Sequence, residues 1–321
     1  MLLKFSKNDK NEKGEKKRMG KKKLPQNFNE ILDWKIPEGF ISYRVSRFRQ
    51  ANGKIRKLEI PNEDLAKVQK KISKYLSKAY TPCLNMAFRN EHNYFNAAMI
   101  ILKGLEASSL PLLDLTEPPV FYRVDIKDFF ANTTPTMFKT EMEIRGFRSK
   151  NIKKLIDLCF WKRHLPTGAP SSPVVSSIAS DHLDRRLVCA LLPHKATRVA
   201  RFADDYFILF PNDSSFKSCV GVINYIINDY GYKINKDKTR KININSHLKV
   251  MGIVGSFQKD GNLQISLSRK KRNEILHKLN NSNQVIKDGY LAWLNSLTTP
   301  LYSPGMKKFM VEVGIPIRKD L

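Results

Sequence analysis

The chain has 321 residues, 41% hydrophobic and 10% aromatic, which excludes a disordered tail and supplies enough apolar side chain for a core. With 57 Lys and Arg against 30 Asp and Glu, the net charge is +27 and the pI about 9.9, the electrostatic footprint of a nucleic-acid binder. No apolar run approaches the roughly 18 residues that span a bilayer, the N-terminus turns polar too early for a signal-peptide core, and no Cys pair has zinc-ribbon or dithiol spacing.

A cytoplasmic protein with no membrane partner is therefore expected, with Cys83, Cys159, Cys189 and Cys219 as separate buried thiols. At ~100–200 residues per domain, the length allows one large domain or two to three subdomains. Residues 1–23 carry ten Lys or Arg against three acids and too few apolar groups to fold alone, so they read as a flexible basic arm. YRVSRFRQANGKIRKLEIP, from Tyr43, reads as two strands around an Asn52-Gly53 turn. A helix follows, with Leu65, Val68, Ile72 and Leu76 on one face and Lys on the other. Residues 104–119 carry three prolines and read as an irregular connection.

FYRVDIKDFF reads as a strand running into a turn, and residues 171–192 as a helix with Val174, Val175, Ile178, Ala179, Leu183, Leu187 and Leu191 on one side. RVARFADDYFILF (198–210) is a strand–turn–strand with two carboxylates at the tip. A helix near 214–229, the segment GYKINKDKTR, a hairpin in KVMGIVGSFQKDGNLQIS and a basic helical tail from Ser268 complete the pattern, with no internal repeat. The six histidines show no ligand spacing and read as structural or surface residues.

Adjacent carboxylates on a hairpin tip repel, and such a pair calls for a compensating cation. Asp125 ends an apolar strand 79 residues before Asp204. If the two strands neighbour each other in one sheet, Asp125, Asp204 and Asp205 converge on one spot. Hard carboxylate oxygens there suit two Mg²⁺ ions ~4 Å apart, with Mn²⁺ as a substitute.

The order DIKDFF, LPTGAPSSP, FADD, GYKINKDKT and VMGIVG resembles the reverse transcriptase family, in particular the bacterial retron and group II intron type, over about residues 40–300. The resemblance implies an α/β right-hand polymerase. Its parts would be fingers at 24–118, palm at 119–255 with part of the fingers inserted, and a short helical thumb at 256–321. It assigns Asp125 and Asp204 to the metals, with Asp205 as the second member of the pair, closer to support than to direct ligation. Asp128 reads as structural. Phe130 would lie under the sugar and reject a ribose 2′-hydroxyl, with Phe129 turned into the core.

Arg56 would contact the incoming triphosphate, assisted by Lys54 or Lys57, because a guanidinium suits bidentate phosphate contact. Gly168 would let backbone approach a nucleotide or template closely, in a loop stiffened by Pro166, Pro170 and Pro173. Thr167 stands where most relatives have Gln. Lys238 matches a late palm lysine that protonates or neutralises the pyrophosphate leaving group. Phe202 stands where many relatives have Tyr, so Phe202→Tyr should leave primer extension measurable. Residues 246–267 resemble a primer-grip hairpin. Lys270, Lys271 and Arg272 on the first thumb helix would face the duplex backbone, and Trp293 and Leu294 would be thumb core.

Asn96-Ala97 lacks the His that retron enzymes carry three positions later, and Val250-Met251-Gly252 replaces Val-Thr-Gly. No integrase or nuclease motif follows, as in the compact retron enzymes. The implied activity is copying of a structured noncoding RNA, template and in part primer, into DNA from dNTPs, in antiviral defence with an effector protein. Rival expectations are a defence enzyme making untemplated or protein-primed DNA, and a non-catalytic RNA-binding scaffold.

Overall fold

The structure, a computed structural model, describes residues 24–49, 53, 55–88, 94–105, 117–194, 198–245, 247–257, 263–297 and 301–315. The basic arm, Asn52, Lys54, His92 and most of the 104–119 connection lie outside the described residues. Described elements begin with α1 (Phe28–Asp33), β1 (Tyr43–Arg49), β2 (Ile55–Pro61), α2 (Glu63–Ala79), α3 (Tyr94–Lys103) and β3 (Val120–Asp125). Next come α4 (Phe129–Asn132), α5 (Pro135–Ile144), α6 (Ser149–Cys159), α7 (Ser172–Ala179), α8 (Asp181–Leu191), β4 (Arg198–Phe202), β5 (Asp205–Phe210) and α9 (Asp213–Asp229). The C-terminal third holds β6 (Arg240–Asn243), β7 (His247–Val250), β8 (Ile253–Phe257), β9 (Leu263–Leu267), α10 (Arg269–Asn281), α11 (Gln284–Ser296) and α12 (Pro304–Glu312).

β1 and β2 form the expected hairpin, with Phe48 opposite Arg56 and Arg47 opposite Lys57. α2 starts where the Asn62 side chain accepts from the Leu65 N–H, and it buries Leu65, Val68, Ile72 and Leu76 as its spacing demands. These residues join α5, α6 and α7 in one core. α5 is tied to α8 by ion pairs from Arg185 to Glu141 at 2.9 Å and from Arg145 to Asp181 at 2.8 Å.

The central sheet is antiparallel, in the order β4-β5-β3-β6. Side chains alternate across it. Val120, Tyr122, Val124, Tyr206, Ile208 and Phe210 pack on α8 and α9. Phe121, Phe207 and Leu209 face the other way, into a core shared with α3 and the helices after β9. Arg123, Asp125 and Asp205 alternate onto this second face, at the sheet's end. Both faces are covered, so the polar ends of the strands carry the chemistry.

Two departures from expectation have local causes. Residues 171–192 are two helices, because the Ser180 hydroxyl bonds back to the Ser176 carbonyl at 2.7 Å and ends α7. The late hairpin is a three-stranded meander, β7-β8-β9, because Met251 and Gly252 both adopt positive φ (51° and 90°) and make a tight turn of their own. All four cysteines are free, but Cys83 and Cys189 are exposed, and only Cys159 and Cys219 are buried. Among the described residues, no helix is long and apolar enough to cross a membrane.

Candidate active site

Asp125 ends β3 and is the cross-strand partner of Asp205, which opens β5. Phe202 ends β4 and pairs with Asp205, so Ala203 and Asp204 alone make the turn. Ala203 takes a left-handed φ of 58°. The Asp204 carbonyl accepts from the Ile126 N–H at 2.9 Å, fastening the turn to the end of β3. The segment from Tyr232 to Thr239 closes the other side, where the Asn235 N–H donates to the Asp125 carbonyl at 2.8 Å. Three acidic residues far apart in sequence thus meet at one end of the sheet.

Two cations partner them. Lys238 donates to Asp125 Oδ2 at 2.9 Å, and Asp125 is only 2% exposed. Arg123, two residues before Asp125 on the same face, grips Asp205 with both ends, Nε to Oδ1 and Nη2 to Oδ2, each at 2.9 Å. Burial and the neighbouring Asp205 charge raise the Asp204 carboxyl above its ordinary pKa. Burial also raises Asp205, against the opposing pull of Arg123. Arg123 was not singled out in the sequence; the alternation R-V-D on an apolar strand was the signal for it.

The Ala203–Asp204 turn is held from inside by a buried network. Arg201 and Asp184, both fully buried, pair at 2.7 Å, and the Tyr206 hydroxyl donates to the other Asp184 oxygen at 2.6 Å. Asp184 keeps the Arg201 guanidinium charged despite its burial. Arg201 Nη1 donates to the Ala203 carbonyl at 2.9 Å, and the Ala203 N–H donates to Asn85 Oδ1 at 3.1 Å. Both backbone groups of the strained turn residue are therefore satisfied by fixed side chains.

The fit of the carboxylates to a divalent cation rests on their own chemistry. Asp125 Oδ1 is buried with no hydrogen-bond partner, a hard oxygen left open at the strand end. Asp204 is half-buried beside it. Asp205 has both oxygens on Arg123. Among the described residues, no group of three or more His, Cys, Asp or Glu side chains lies at ligand spacing as they stand. The donors whose oxygens are open to a metal are those of Asp125 and Asp204, while both oxygens of Asp205 are taken up by Arg123.

Phe129 is buried and Phe130 half-buried; both lie in α4, so helical geometry and not strand alternation sets their directions. The Phe130 carbonyl accepts from the Leu165 N–H at 3.1 Å, joining it to the loop that carries Gly168. Gly168 has φ 118°, and a Cβ there would lie 3.2 Å from the Glu59 carbonyl oxygen. The close approach that this glycine permits is thus to β2, whose Glu59 N–H donates to the Thr167 carbonyl at 2.7 Å. Strand alternation puts Arg56 and Lys57 on opposite faces of the hairpin. Arg56 is exposed. Lys57 pairs with the buried Glu59 at 2.7 Å, and His164 binds the other Glu59 oxygen at 2.8 Å.

On α10, Lys270 is exposed. Lys271 instead lies 5.7 Å from the centres of both the Tyr94 and Trp293 rings and pairs with Glu274. Arg272 is half-buried and Leu294 buried. Tyr94 stacks on Trp293 at 5.3 Å and meets Phe202 edge-on at 6.4 Å, so an aromatic chain runs from α11 to the end of β4 beside the Asp204 turn.

The family model described as reverse transcriptase (RNA-dependent DNA polymerase) matches residues 47–255, from the hairpin to β8. The chain belongs to this family. Retron Ec86 reverse transcriptase of Escherichia coli is 30% identical over 159 residues, which is 49% of this chain and 47% of that protein. Retron Ec73 reverse transcriptase, also of E. coli, is 25% identical over 240 residues, 68% of this chain and 75% of that protein. Apo telomerase from Candida tropicalis, truncated from its C-terminal domain, superimposes with a TM-score of 0.52 at 13% identity, covering 73% of this chain and 56% of that one. The RNA-dependent RNA polymerase of a human picobirnavirus, as an insertion-loop deletion mutant, gives 0.51 at 12% identity, covering 85% and 57%. The chain thus spans about half the length of Ec86 and of the telomerase chain. The two structures establish a shared right-hand polymerase fold and nothing finer.

Proposed function

We propose that this chain is an RNA-directed DNA polymerase that copies a structured noncoding RNA into DNA. The observation that carries the proposal is the pairing of Asp125 with Asp205 across β3 and β5, with Asp204 in the turn beside them, inside a reverse transcriptase domain. In the reaction a primer hydroxyl attacks the α-phosphate of a dNTP. The new P–O bond forms as the bond to pyrophosphate breaks, and the hydroxyl proton leaves. Asp125 and Asp204 would hold Mg²⁺, or Mn²⁺ in its place. Such ions supply activation of the hydroxyl and charge neutralisation on the leaving oxygens.

The protein's own groups do the rest. Arg123 holds Asp205 and lowers the repulsion between the carboxylates. Lys238, on Asp125 and 47% exposed, would supply a proton or a positive charge to the leaving pyrophosphate. Phe130 would exclude a ribose 2′-hydroxyl. Arg56 would bind the triphosphate from the exposed hairpin face, while Lys57 anchors the hairpin through Glu59. Gly168 would hold the nucleotide loop against that hairpin. Lys270 and Arg272 would meet the duplex phosphates, and Lys271 would set the helix that presents them. The division into fingers (24–118), palm (119–255) and thumb (256–321) belongs to this proposal. So do a cytoplasmic location and a defence role with an effector protein, as similarity to the retron enzymes suggests.

The test is to purify the protein from its own locus and sequence the nucleic acid that comes with it, beside an Asp204→Asn/Asp205→Asn double variant. A discrete RNA joined to a short complementary DNA, absent from the variant, supports the proposal. DNA without an RNA complement favours untemplated synthesis, and RNA without DNA in both samples favours a scaffold.

A further inference from the structure

Phe88 is a bulky, non-glycine residue with a left-handed φ of 64°, and its side chain is 42% exposed. Both features are unfavourable for phenylalanine: the backbone is strained by the Cβ, and the ring stays in water. Strained positions of this kind persist only where their surroundings hold them, and they cluster at functional sites. The surroundings here are the catalytic turn itself. The segment leading to Phe88 is laced along β4: the Arg201 N–H donates to the Leu84 carbonyl at 3.4 Å, and the Met86 N–H to the Arg201 carbonyl at 2.9 Å. Asn85 then accepts from Ala203 and donates to the Ser177 hydroxyl at 2.9 Å. It also accepts from the Ala87 N–H at 3.1 Å, which fixes the chain up to the residue before Phe88.

Held in this way, the Phe88 ring stands 6.5 Å from the ring of Phe130, tilted by 36°. Phe130 is five residues past Asp125, and Phe88 is three past the side chain that holds the Asp204 turn. Phe130 thus lies in the helix that follows β3, and Phe88 follows the segment bonded to β4 and its turn. Phe130 rests against buried cores on one side, whereas Phe88 belongs to no core among the described residues.

We propose that Phe88 is a specificity-determining residue. With Phe130 it forms a two-ring apolar slot that takes the sugar and base of an incoming 2′-deoxynucleoside triphosphate. This rests on the polymerase proposal, since it concerns the same site. An apolar wall favours the C2′ methylene of a deoxyribose, and a ribose hydroxyl placed there would lose its water without gaining a partner. The strain at Phe88 aims the ring at the slot and not into the molecule.

The test measures equilibrium binding of dATP and ATP to protein carrying an RNA–DNA primer–template, in Ca²⁺ so that no turnover occurs, beside single-turnover extension in Mg²⁺. Phe88→Ala should weaken dATP at least fivefold, affect ATP less and so narrow the discrimination, while Phe88→Tyr keeps it. Phe88→Gly relieves the strained φ, so it should melt no lower than wild type and still lose dATP affinity. If Phe88→Gly is more stable but binds dATP and discriminates within twofold of wild type, Phe88 is only a strained surface residue and the proposal is overturned. If wild type binds dATP but extends no primer, the polymerase proposal fails while the slot is still read from binding. If wild type binds no nucleotide, both are overturned.

Discussion

Asp125 and Asp205 stand directly opposite one another on neighbouring strands, the arrangement that like charges ordinarily disfavour. It is stabilised by two cations on opposite sides, Lys238 on Asp125 and the two-pronged Arg123 on Asp205. The site is thus preorganised by the chain's own charges, and one carboxylate oxygen, Asp125 Oδ1, remains unpartnered.

Removing Arg123 should make the site more negative and free Asp205 to move. Arg123→Ala is expected to lower the Mg²⁺ concentration for half-maximal activity, because the fixed positive charge no longer competes. It should also lower the maximal extension rate by about tenfold, equivalent to ~1.4 kcal/mol of misplaced geometry. Titrating Mg²⁺ in a primer-extension assay reads both; an unchanged Mg²⁺ dependence would contradict the role given to Arg123.

Arg201 and Asp184 are a fully buried pair, and removing one partner leaves the other charged in the core. Arg201→Met or Asp184→Asn should each cost about 3–5 kcal/mol of stability, measured by urea unfolding. The double variant should recover part of this loss. Tyr206→Phe, which deletes only the 2.6 Å bond to Asp184, should cost about 1–2 kcal/mol.

Glu59 anchors the hairpin by a pH-dependent contact. Burial raises its pKa, but the bonds from Lys57 and His164 outweigh burial and hold it below the ordinary carboxylate range. A carboxyl depressed in the folded state stabilises above its unfolded pKa, and that stability is lost as pH falls through the folded value. The stability gap between wild type and Glu59→Gln should therefore be full at pH 6 and shrink below about pH 4, close to the unfolded pKa of a glutamate. Thermal melts across this range check it, with a pH-independent gap as the contrary result.

Lys270 and Lys271 are neighbours with different surroundings. Lys270→Ala should reduce the slope of log affinity against log salt for RNA–DNA duplex by about one, as expected for one phosphate contact. Lys271→Ala should leave that slope unchanged and lower stability by about 1 kcal/mol, the worth of a half-buried cation–π contact.

The meeting of the three carboxylates was legible because its signals are local. An apolar strand ending in Asp125 and a strand–turn–strand carrying Asp204 and Asp205 can satisfy their periodicity in few ways, and a shared sheet brings their ends together. The network beneath was not legible: Asp184, Arg201 and Asn85 are far apart in sequence, and nothing in a lone buried arginine's neighbours names its partner. The setting of Lys271 was not legible for a related reason, since a basic helix start looks solvated until Tyr94 and Trp293 are known to lie beside it. The split of 171–192 turned on one hydroxyl, that of Ser180, competing for the backbone.

The most direct test of the central claim is extension of a labelled DNA primer on a defined RNA template with dNTPs and Mg²⁺, comparing wild type with Asp204→Asn. The account predicts template-length DNA from wild type, and at least a hundredfold less from a variant that folds and binds RNA as wild type does. Equal synthesis by the two proteins, or none by wild type on any RNA template, would contradict it.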